Sequence, residues 1–357
     1  MPEWASIHGN TAVFAGATLT ITGADQLAPA SAENEKYTLV PASLAYGVAV
    51  AIRNRLYDTG WLEQVRVGAR VLSVGNLTVG GTGKTPAALW LAQALARRGH
   101  RVGIVARGYR KRRPGVVVVG VDGRPLVSAE EGGDEAVMLA HRFAGPVLTG
   151  ERRVDAAAEA CARFGVDTIV LDDGFQHRAL ARDADLVLLA SDEASRHLLP
   201  AGSRREPLGA LARARALLVV GDGEPRSSPA PGLPPQFQGR LVPTALVDES
   251  WREAALAGLG GARVVAVSGV ARPERFIATL EQCGARVVER LAFPDHHDYS
   301  PADVARIVSA GRAGELLTTE KDLAKLAGRS GLEHLRGLRV MLQVDDGDRL
   351  VDLLAAA

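Results

Sequence analysis

The sequence predicts an α/β protein with three parts: an N-terminal membrane-associated helix, a doubly wound parallel sheet, and a second, smaller α/β domain. Strand-like apolar runs alternate with helical segments from Val71 to Val220, which is the pattern of a parallel sheet with crossover helices. A stretch rich in Gly, Pro and Ser follows at residues 221–239, and strand and helix signals then resume. With 357 residues, 47% of them hydrophobic, the chain can bury a core in each of two domains.

Charge and cysteine content exclude several classes of protein. The chain has 42 basic and 41 acidic residues, so no overall field attracts nucleic acid, and we expect no nucleic-acid partner. Cys161 and Cys283 lie far apart without the spacing of a metal site, which indicates a reducing compartment and no disulfide framework. Nothing in the sequence implies a protein partner.

The N-terminal region divides into an extension and an apolar segment. Residues 1–38 match no motif, and we expect them to be poorly ordered. Residues 39–62 are expected to form a membrane-associated helix, because the run 39–52 is almost wholly apolar and is followed by Arg53 and Arg55. This run is shorter than the roughly 20 apolar residues needed to span a bilayer, so it is expected to lie in the membrane surface. A core helix packed on the sheet is an equally good interpretation.

A glycine-rich turn marks the predicted nucleotide-binding domain, residues 63–222. A strand at Val71–Val74 leads into the sequence TVGGTGKT, and a helix is expected over Ala87–Arg98. Glycines in such a loop let backbone N–H groups converge on phosphate, the lysine reaches the β- and γ-phosphates, and the last hydroxyl ligates Mg²⁺. The general pattern has a further glycine where this chain has Thr78. The residues expected to contact nucleotide are Thr78, Val79, Gly80, Gly81, Thr82, Gly83, Lys84 and Thr85.

Two adjacent carboxylates end another predicted strand. The segment Thr168–Leu171 is apolar, and Asp172 and Asp173 follow it directly. The carboxyl ends of parallel strands face the ligand crevice, where an acid beside a phosphate loop holds Mg²⁺ or its water. The alternative is an Asp-Asp-Gly turn that only ends the strand. The phosphate loop and the acid pair together favour a magnesium site.

Three further clusters carry titratable side chains, and each also has an ordinary structural explanation. Asp134 opens a helical run, where the sequence alone favours an N-cap over a catalytic base. His296 lies in the string FPDHHDYS, which fits acid–base chemistry better than a metal site. Arg205 and Glu206 lie in the string LPAGSRREPL, either as a phosphate clamp and a Mg²⁺ ligand or as a surface ion pair.

Seven strings occur in an order that resembles one protein family. They are SVGNLTVGGTGKTP, ARGYRKR, GGDEAVMLA, LDDGFQHR, LPAGSRREPL, FPDHHDYS and LTTEKD. Together they resemble the tetraacyldisaccharide 4′-kinases of lipid A biosynthesis, from Leu39 to the C-terminus. The resemblance implies a P-loop kinase-like fold at the cytoplasmic face of the bacterial inner membrane. It also implies transfer of the ATP γ-phosphate to the 4′-hydroxyl of a tetraacyldisaccharide 1-phosphate, giving lipid IVA, with ATP and Mg²⁺ as cofactors.

The resemblance also implies roles for individual residues. It pairs Asp134 with His296 as a catalytic dyad, in which Asp134 accepts the hydroxyl proton and His296 orients Asp134. It also implies that Lys84 supplies a positive charge for catalysis. The implied magnesium site comprises Thr85, Asp172, Asp173 and Glu206. Residues implied to hold the acceptor or the nucleotide are Tyr109, His177 and Arg205.

The remaining divisions are a linker at residues 223–240 and a smaller C-terminal domain, 241–357, that contributes to the active site.

A nucleotide-switch ATPase of the septum-positioning kind is the main functional alternative, because it also has a GGTGKT-like loop and binds membranes. That class needs a lysine immediately before the glycine pair, where this chain has Val79. The sequence therefore favours the lipid kinase.

Overall fold

The structure is a computed structural model that describes residues 11–14, 17–20, 30–190, 197–221 and 232–356. Strands β1 (Thr11–Phe14) and β2 (Ala17–Thr20) pair antiparallel inside the segment predicted to be an extension. Helix α1 (Ala30–Asp58) begins in that segment as well and continues through the apolar run. Residues 1–10, 15–16 and 21–29 of the predicted extension lie outside the described residues.

The nucleotide-binding half alternates strands with helices, as the sequence predicts. Its elements are β3 (Arg70–Asn76), α2 (Lys84–Arg97), β4 (Val102–Ala106), β5 (Val117–Val121), β6 (Arg124–Pro125), α3 (Ala129–Gly132), α4 (Asp134–Arg142), β7 (Val147–Thr149), α5 (Arg153–Phe164), β8 (Thr168–Asp172), β9 (Ala184–Ala190), a 3₁₀ helix (Leu208–Arg213) and β10 (Ala216–Val220).

The second half is also of mixed α/β type. Its elements are β11 (Gln236–Val247), β12 (Glu253–Ala254), a 3₁₀ helix (Leu256–Leu259), β13 (Arg263–Ser268), α6 (Pro273–Gln282), β14 (Arg286–Ala292), α7 (Pro301–Ala310), β15 (Glu315–Thr319), α8 (Glu320–Leu326), β16 (Arg336–Val344) and α9 (Gly347–Ala355).

One sheet contains all strands from β3 onward. Their order across it is β14, β13, β15, β16, β11, β10, β9, β3, β8, β4, β7, β5 and β6, with β12 paired to β11. Neighbours are parallel except where β11 meets β16 and β12, and at the edge formed by β7, β5 and β6. The sheet therefore runs without interruption from one half of the chain to the other.

The sheet is covered on both faces, which explains the continuous apolar sequences of its central strands. In β8, Val170 packs in the cluster that includes α2 and α4. Its neighbours Ile169 and Leu171 pack in a second cluster with α5. Successive side chains of a strand point to opposite faces, so these two clusters are the two layers of a doubly wound fold.

Three local features differ from the sequence predictions. The edge strand β5 is antiparallel to β7, because a loop rather than a crossover helix connects it to β4. Strand β11 begins at Gln236, inside the predicted linker, and pairs with β10. Helix α2 begins at Lys84, directly after the glycine-rich loop, and not at Ala87.

Candidate active site

The glycine-rich loop connects the carboxyl end of β3 to the first residue of α2. Gly83 has φ 84°, a left-handed conformation that glycine adopts without strain, and it precedes the helix directly. Asn76 Nδ2 donates a hydrogen bond to Thr82 Oγ1 at 2.8 Å, and the Val79 N–H donates to the Ser203 carbonyl at 2.8 Å. The loop is fixed from two sides and ends at a helix N-terminus, where phosphate binds favourably.

Asp173 holds two cations beside this loop. Lys84 Nζ lies 3.4 Å from the Gly80 carbonyl oxygen and 3.9 Å from Asp173 Oδ1. One Arg205 nitrogen donates to both carboxylate oxygens of Asp173, at 2.9 and 3.0 Å. Burial raises the pKa of Asp173, but the charges of Lys84 and Arg205 outweigh burial and lower the pKa below its ordinary value. Asp173 is therefore an ionised acid that orients the loop lysine.

Asp172 and Thr85 present oxygen atoms that suit Mg²⁺. Thr85 Oγ1 donates to Asp172 Oδ2 at 2.9 Å, and Asp172 Oδ1 is buried with no hydrogen-bond partner among the described residues. Burial and the nearby charge of Glu135 raise the pKa of Asp172. Within the described part of the chain no three acidic, His or Cys residues form a complete metal site. This fits Mg²⁺, which usually takes one or two protein oxygens together with phosphate oxygens and water.

The other half of the site is a histidine–aspartate pair. His296 Nδ1, in the loop after β14, lies 2.9 Å from Oδ2 and 3.1 Å from Oδ1 of Asp134, the first residue of α4. The Glu135 N–H donates to Asp134 Oδ1 at 2.8 Å, and Lys325 Nζ lies 3.3 Å from Oδ2. Gly133 is the N-cap of α4, so the N-cap interpretation of Asp134 is wrong. Asp134 is 6% exposed, and both of its oxygens already have donors.

The surroundings of Asp134 keep its carboxylate ionised. Burial raises the pKa of Asp134, but the hydrogen bond and charge of His296 and the charges of Lys325 and Lys321 lower it to about 2. The opposite ring nitrogen of His296, Nε2, makes no hydrogen bond to the described residues, and Asp295 Oδ1 lies 3.9 Å from it. The ionised Asp134 accepts from Nδ1–H, so Nε2 is the ring nitrogen that Asp134 does not engage.

An exposed aromatic ring lies beside the dyad. The ring of Tyr109 lies 4.7 Å from that of His296, measured between centroids, and Tyr109 is 49% exposed.

His177 lies in a region of concentrated positive charge. Burial and the charges of Arg153, Arg182, Arg53 and Arg107 lower its pKa to about 4, and its Nε2 is buried without a hydrogen-bond partner among the described residues. A neutral imidazole among arginines suits a phosphate group.

Comparison with known proteins decides the family. The family model described as tetraacyldisaccharide-1-P 4′-kinase matches residues 35–357. The chain belongs to this family. The tetraacyldisaccharide 4′-kinase of Anaeromyxobacter dehalogenans (strain 2CP-C) is 44% identical over 342 residues, which cover 89% of each chain. That of Syntrophus aciditrophicus (strain SB) is 42% identical over 309 residues, 80% of this chain and 83% of the relative.

A solved structure supports the same assignment. The structure of LpxK from Aquifex aeolicus in complex with ATP has a TM-score of 0.79 and 34% sequence identity, covering 90% of this chain and 98% of that one. The family resemblance and the predicted fold class are confirmed, and this member of the tetraacyldisaccharide 4′-kinase family is an ATP-dependent kinase.

Glu206, which the resemblance implies as a magnesium ligand, has protein partners for both of its oxygens. Two nitrogens of Arg213 donate to them at 2.9 and 3.1 Å, and Asn54 Nδ2 donates at 2.8 Å. Glu206 is 1% exposed, and a buried carboxylate needs such partners. Its charge neutralises Arg213 and ties α1 to the loop that follows β9.

His297, the neighbour of the dyad histidine, belongs to the second half's own packing. Its Nε2 lies 3.0 Å from Asp303 Oδ2, and its ring stacks on Phe293 with centroids 4.9 Å apart. Its side chain therefore contacts Asp303 and Phe293 and not Asp134.

Sequence reasoning missed several residues of the site. Glu135 follows Asp134 in the GGDE string, and its pKa is raised by burial and by the charge of Asp134. Arg153 stands at the start of α5, where only its buried position beside His177 identifies it. Lys321 and Lys325 lie in and just after the LTTEKD string, and both charges act on Asp134. The strings contained two of these residues, Glu135 and Lys321, but no local pattern indicated their roles.

Proposed function

We propose that this kinase transfers the γ-phosphoryl group of ATP to the 4′-hydroxyl of a tetraacyldisaccharide 1-phosphate, with His296 Nε2 as the atom that receives the hydroxyl proton. The observation that carries the proposal is the arrangement of one fixed phosphate loop and one oriented imidazole. Asp134 engages Nδ1 of His296 at 2.9 Å, which leaves Nε2 as the available base. This reverses the roles that the resemblance implies, since Asp134 orients and His296 accepts.

The proton balance of the reaction follows from these positions. The 4′-oxygen attacks the γ-phosphorus as its proton moves to Nε2, the bond from the γ-phosphorus to the β,γ-bridging oxygen breaks, and ADP leaves. Asp134 stabilises the imidazolium that forms, as the aspartate of a catalytic triad does. A carboxylate whose pKa is about 2 has little affinity for the proton itself.

The glycine-rich loop is expected to neutralise the negative charge on the phosphoryl group during transfer. Lys84 is free to leave Asp173 for the β- and γ-phosphates, because its contact with Asp173 is long, at 3.9 Å. Thr85 and Asp172 would hold Mg²⁺, which supplies charge neutralisation on the phosphate oxygens when bound. Arg205 keeps Asp173 ionised and paired once Lys84 has moved.

The acceptor is expected to enter over Tyr109. Its exposed ring beside His296 offers an apolar face to a sugar ring, and the arginines around His177 offer charge to a phosphate. These contacts support roles for Tyr109 and His177 in holding the acceptor, while Arg205 acts through Asp173.

Helix α1 supports binding at a membrane surface. Leu44, Val48 and Ile52 repeat every four residues along one face and are 67%, 59% and 55% exposed. The opposite face is tied to the protein: Ser43 Oγ donates to the Leu198 carbonyl and Tyr46 donates to the Arg205 carbonyl, both at 2.9 Å. A core helix would bury its apolar face, whereas α1 exposes it. Of the two interpretations, the interfacial one is therefore favoured.

The composition of α1 fits the same position. No helix among the described residues is long and apolar enough to cross a bilayer. We therefore propose a peripheral enzyme at the cytoplasmic face of the inner membrane, where ATP is available and the acylated acceptor is embedded.

The proposal is tested by following the phosphate. The protein is incubated with γ-labelled ATP, Mg²⁺ and tetraacyldisaccharide 1-phosphate in detergent micelles, and label is measured on the lipid. Wild type should label it, and the matched variant Lys84→Ala should not, although Lys84→Ala should unfold at a similar temperature. A folded wild-type protein that binds ATP and labels no lipid would overturn the proposal.

A further inference from the structure

Helix α8 carries a lysine that contacts Asp134 and the loop that holds His296. Lys325 Nζ lies 3.3 Å from Asp134 Oδ2 and 3.4 Å from Asp322 Oδ1, and it donates to the His297 carbonyl at 3.0 Å. The His297 carbonyl is the hydrogen-bond acceptor of this ammonium group, and the two carboxylate oxygens lie at ion-pair distance from it. The side chain of Lys325 is only 11% exposed, and its Nζ lies 5.3 Å from the centroid of the Tyr299 ring.

These contacts join segments that are distant in the chain. Asp134 begins α4 in the nucleotide-binding half, whereas the His297 carbonyl belongs to the loop that carries His296. Asp322 is wholly buried, and its other oxygen, Oδ2, accepts from the Gly269 N–H at 2.9 Å and the Thr319 hydroxyl at 2.8 Å. Asp322 is thus a fixed anchor, and Lys325 connects that anchor to both the carboxylate and the loop of the dyad.

The position of α8 against α4 is set at the other end of the two helices. Arg142, the last residue of α4, donates to Glu320, the first residue of α8, at 2.8 Å, and both are almost wholly buried. Arg339 donates to the other oxygen of Glu320 at 2.7 Å. The two helices are therefore held together by one ion pair at each end.

We propose that Lys325 is a positioning residue for phosphoryl transfer: it holds the Asp134 carboxylate and the His296 loop in the register that directs Nε2 to the acceptor. This inference rests on the proposed function of the dyad. Lys325 acts through Asp134 and touches neither substrate. Without it, Asp134 would lose a neighbouring positive charge, and the loop would lose its tie to α8.

The kinetic test uses three single variants. Lys325→Met keeps the length of the side chain without charge or donors, and we expect kcat to fall at least tenfold while KM for ATP changes less than about twofold. Lys325→Arg restores a charge and donors and should recover most of kcat. Arg336→Met, the matched control, removes an ion pair with Glu315 elsewhere in the same half and should leave kcat unchanged.

A double-variant cycle separates positioning from stability. If Lys325 acts through the dyad, Lys325→Met should change kcat less than about twofold in a His296→Gln background, because residues that act as a unit are not additive. A purely structural role predicts the same loss in both backgrounds. Unchanged kcat in Lys325→Met, or full additivity with His296→Gln, would overturn the inference. If Lys325→Met does not fold, Lys325→Gln takes its place in both measurements.

A measurement without turnover distinguishes this inference from the proposed function. Nitrogen-15 NMR of the His296 ring in wild type should show a proton on Nδ1 and none on Nε2 at pH 8, and Lys325→Met should lose that single tautomer. Equal spectra in the two proteins would refute the positioning role even if lipid is labelled. Absence of lipid labelling with the expected spectral change would refute the proposed function and leave Lys325 as the residue that positions the dyad.

Discussion

Nδ1 of His296 lies 2.9 Å from Oδ2 of Asp134, although 162 residues separate them in the chain. The first residue of α4 supplies the carboxylate and the loop after β14 supplies the imidazole, so neither half of the chain contains the pair alone. The contact fixes the ring so that Nε2 faces away from Asp134. The chemistry proposed for this kinase depends on that orientation.

Variants of His296 and Asp134 should show which of the two accepts the hydroxyl proton and which one orients its partner. His296→Gln retains a hydrogen-bond donor for Asp134 but has no basic nitrogen, so kcat should fall by about 10²-fold or more, the usual scale of acid–base catalysis. ATP affinity and the thermal midpoint should change little. Asp134→Asn should also lower kcat, and the double variant should be far less impaired than the product of the two.

The outcome for His296→Gln decides between the two assignments. If Asp134 were the base and the imidazole only its donor, His296→Gln would keep much of the activity. His297→Ala is the neighbouring control and should have a milder effect, because His297 contacts Asp303 and Phe293 and not Asp134.

Glu206 and Asp172 should respond differently to magnesium. Asp172→Asn should raise the Mg²⁺ concentration needed for half-maximal activity. Glu206→Ala should leave that concentration unchanged and should instead destabilise the fold by about 3 kcal/mol, because it leaves Arg213 without its buried partner. Urea unfolding and a Mg²⁺ titration of both variants check this. A raised Mg²⁺ requirement in folded Glu206→Ala would return Glu206 to the metal site.

The exposed stripe on α1 should control membrane binding. Leu44→Glu with Val48→Glu places two charges on the face proposed to enter the lipid, so cosedimentation with anionic vesicles should be lost while ATP binding remains. Leu126→Glu is the matched control, since Leu126 is 60% exposed on a different surface. Undiminished vesicle binding by the double variant, or equal loss in the control, would contradict the membrane assignment.

His177 should make stability depend on pH. Its pKa is about 4 in the folded protein, against about 6.5 for an ordinary histidine, so below pH 6.5 the unfolded chain binds a proton that the folded chain does not. The free energy of unfolding should therefore fall as pH drops from about 6.5 to about 4, by up to roughly 3 kcal/mol. The contribution should be absent above that window and constant below it.

The corresponding measurement is urea unfolding of wild type and His177→Gln at pH 7, 5.5 and 4. The variant should lose less stability on acidification than wild type. His141, whose pKa is also lowered to about 4 by burial and Arg339, should maintain part of the slope. Identical slopes in the two proteins would show that His177 is not held neutral by its surroundings.

The parts of the site that are local in sequence could be predicted from it. Lys84 and Thr85 follow a strand and its glycine-rich loop, and Asp172 ends another strand. The apolar pattern of the two strands, the glycines of the loop and the geometry of a parallel sheet together predict that these residues lie close to one another. The dyad had no such pattern. It came only from the family resemblance, because nothing in the sequence near Asp134 indicates a histidine in the second half.

Other features depend on contacts that a sequence does not contain. Glu206 is acidic and close to a loop, but whether it meets Mg²⁺ or Arg213 is decided by packing. Which ring nitrogen of His296 is free is decided by ring orientation. The apolar run of α1 allowed two interpretations until its polar face was seen to bind Leu198 and Arg205.

The most direct test of the account is the position of the new phosphate. Wild-type protein is incubated with ATP, Mg²⁺ and tetraacyldisaccharide 1-phosphate, and the lipid product is examined by phosphorus and proton NMR, with His296→Gln in parallel. We expect a second phosphate monoester on the 4′-oxygen with wild type, and a rate of product formation at least about 10²-fold lower with His296→Gln. Phosphate on another hydroxyl, only inorganic phosphate from ATP, or equal rates for the two proteins would contradict it.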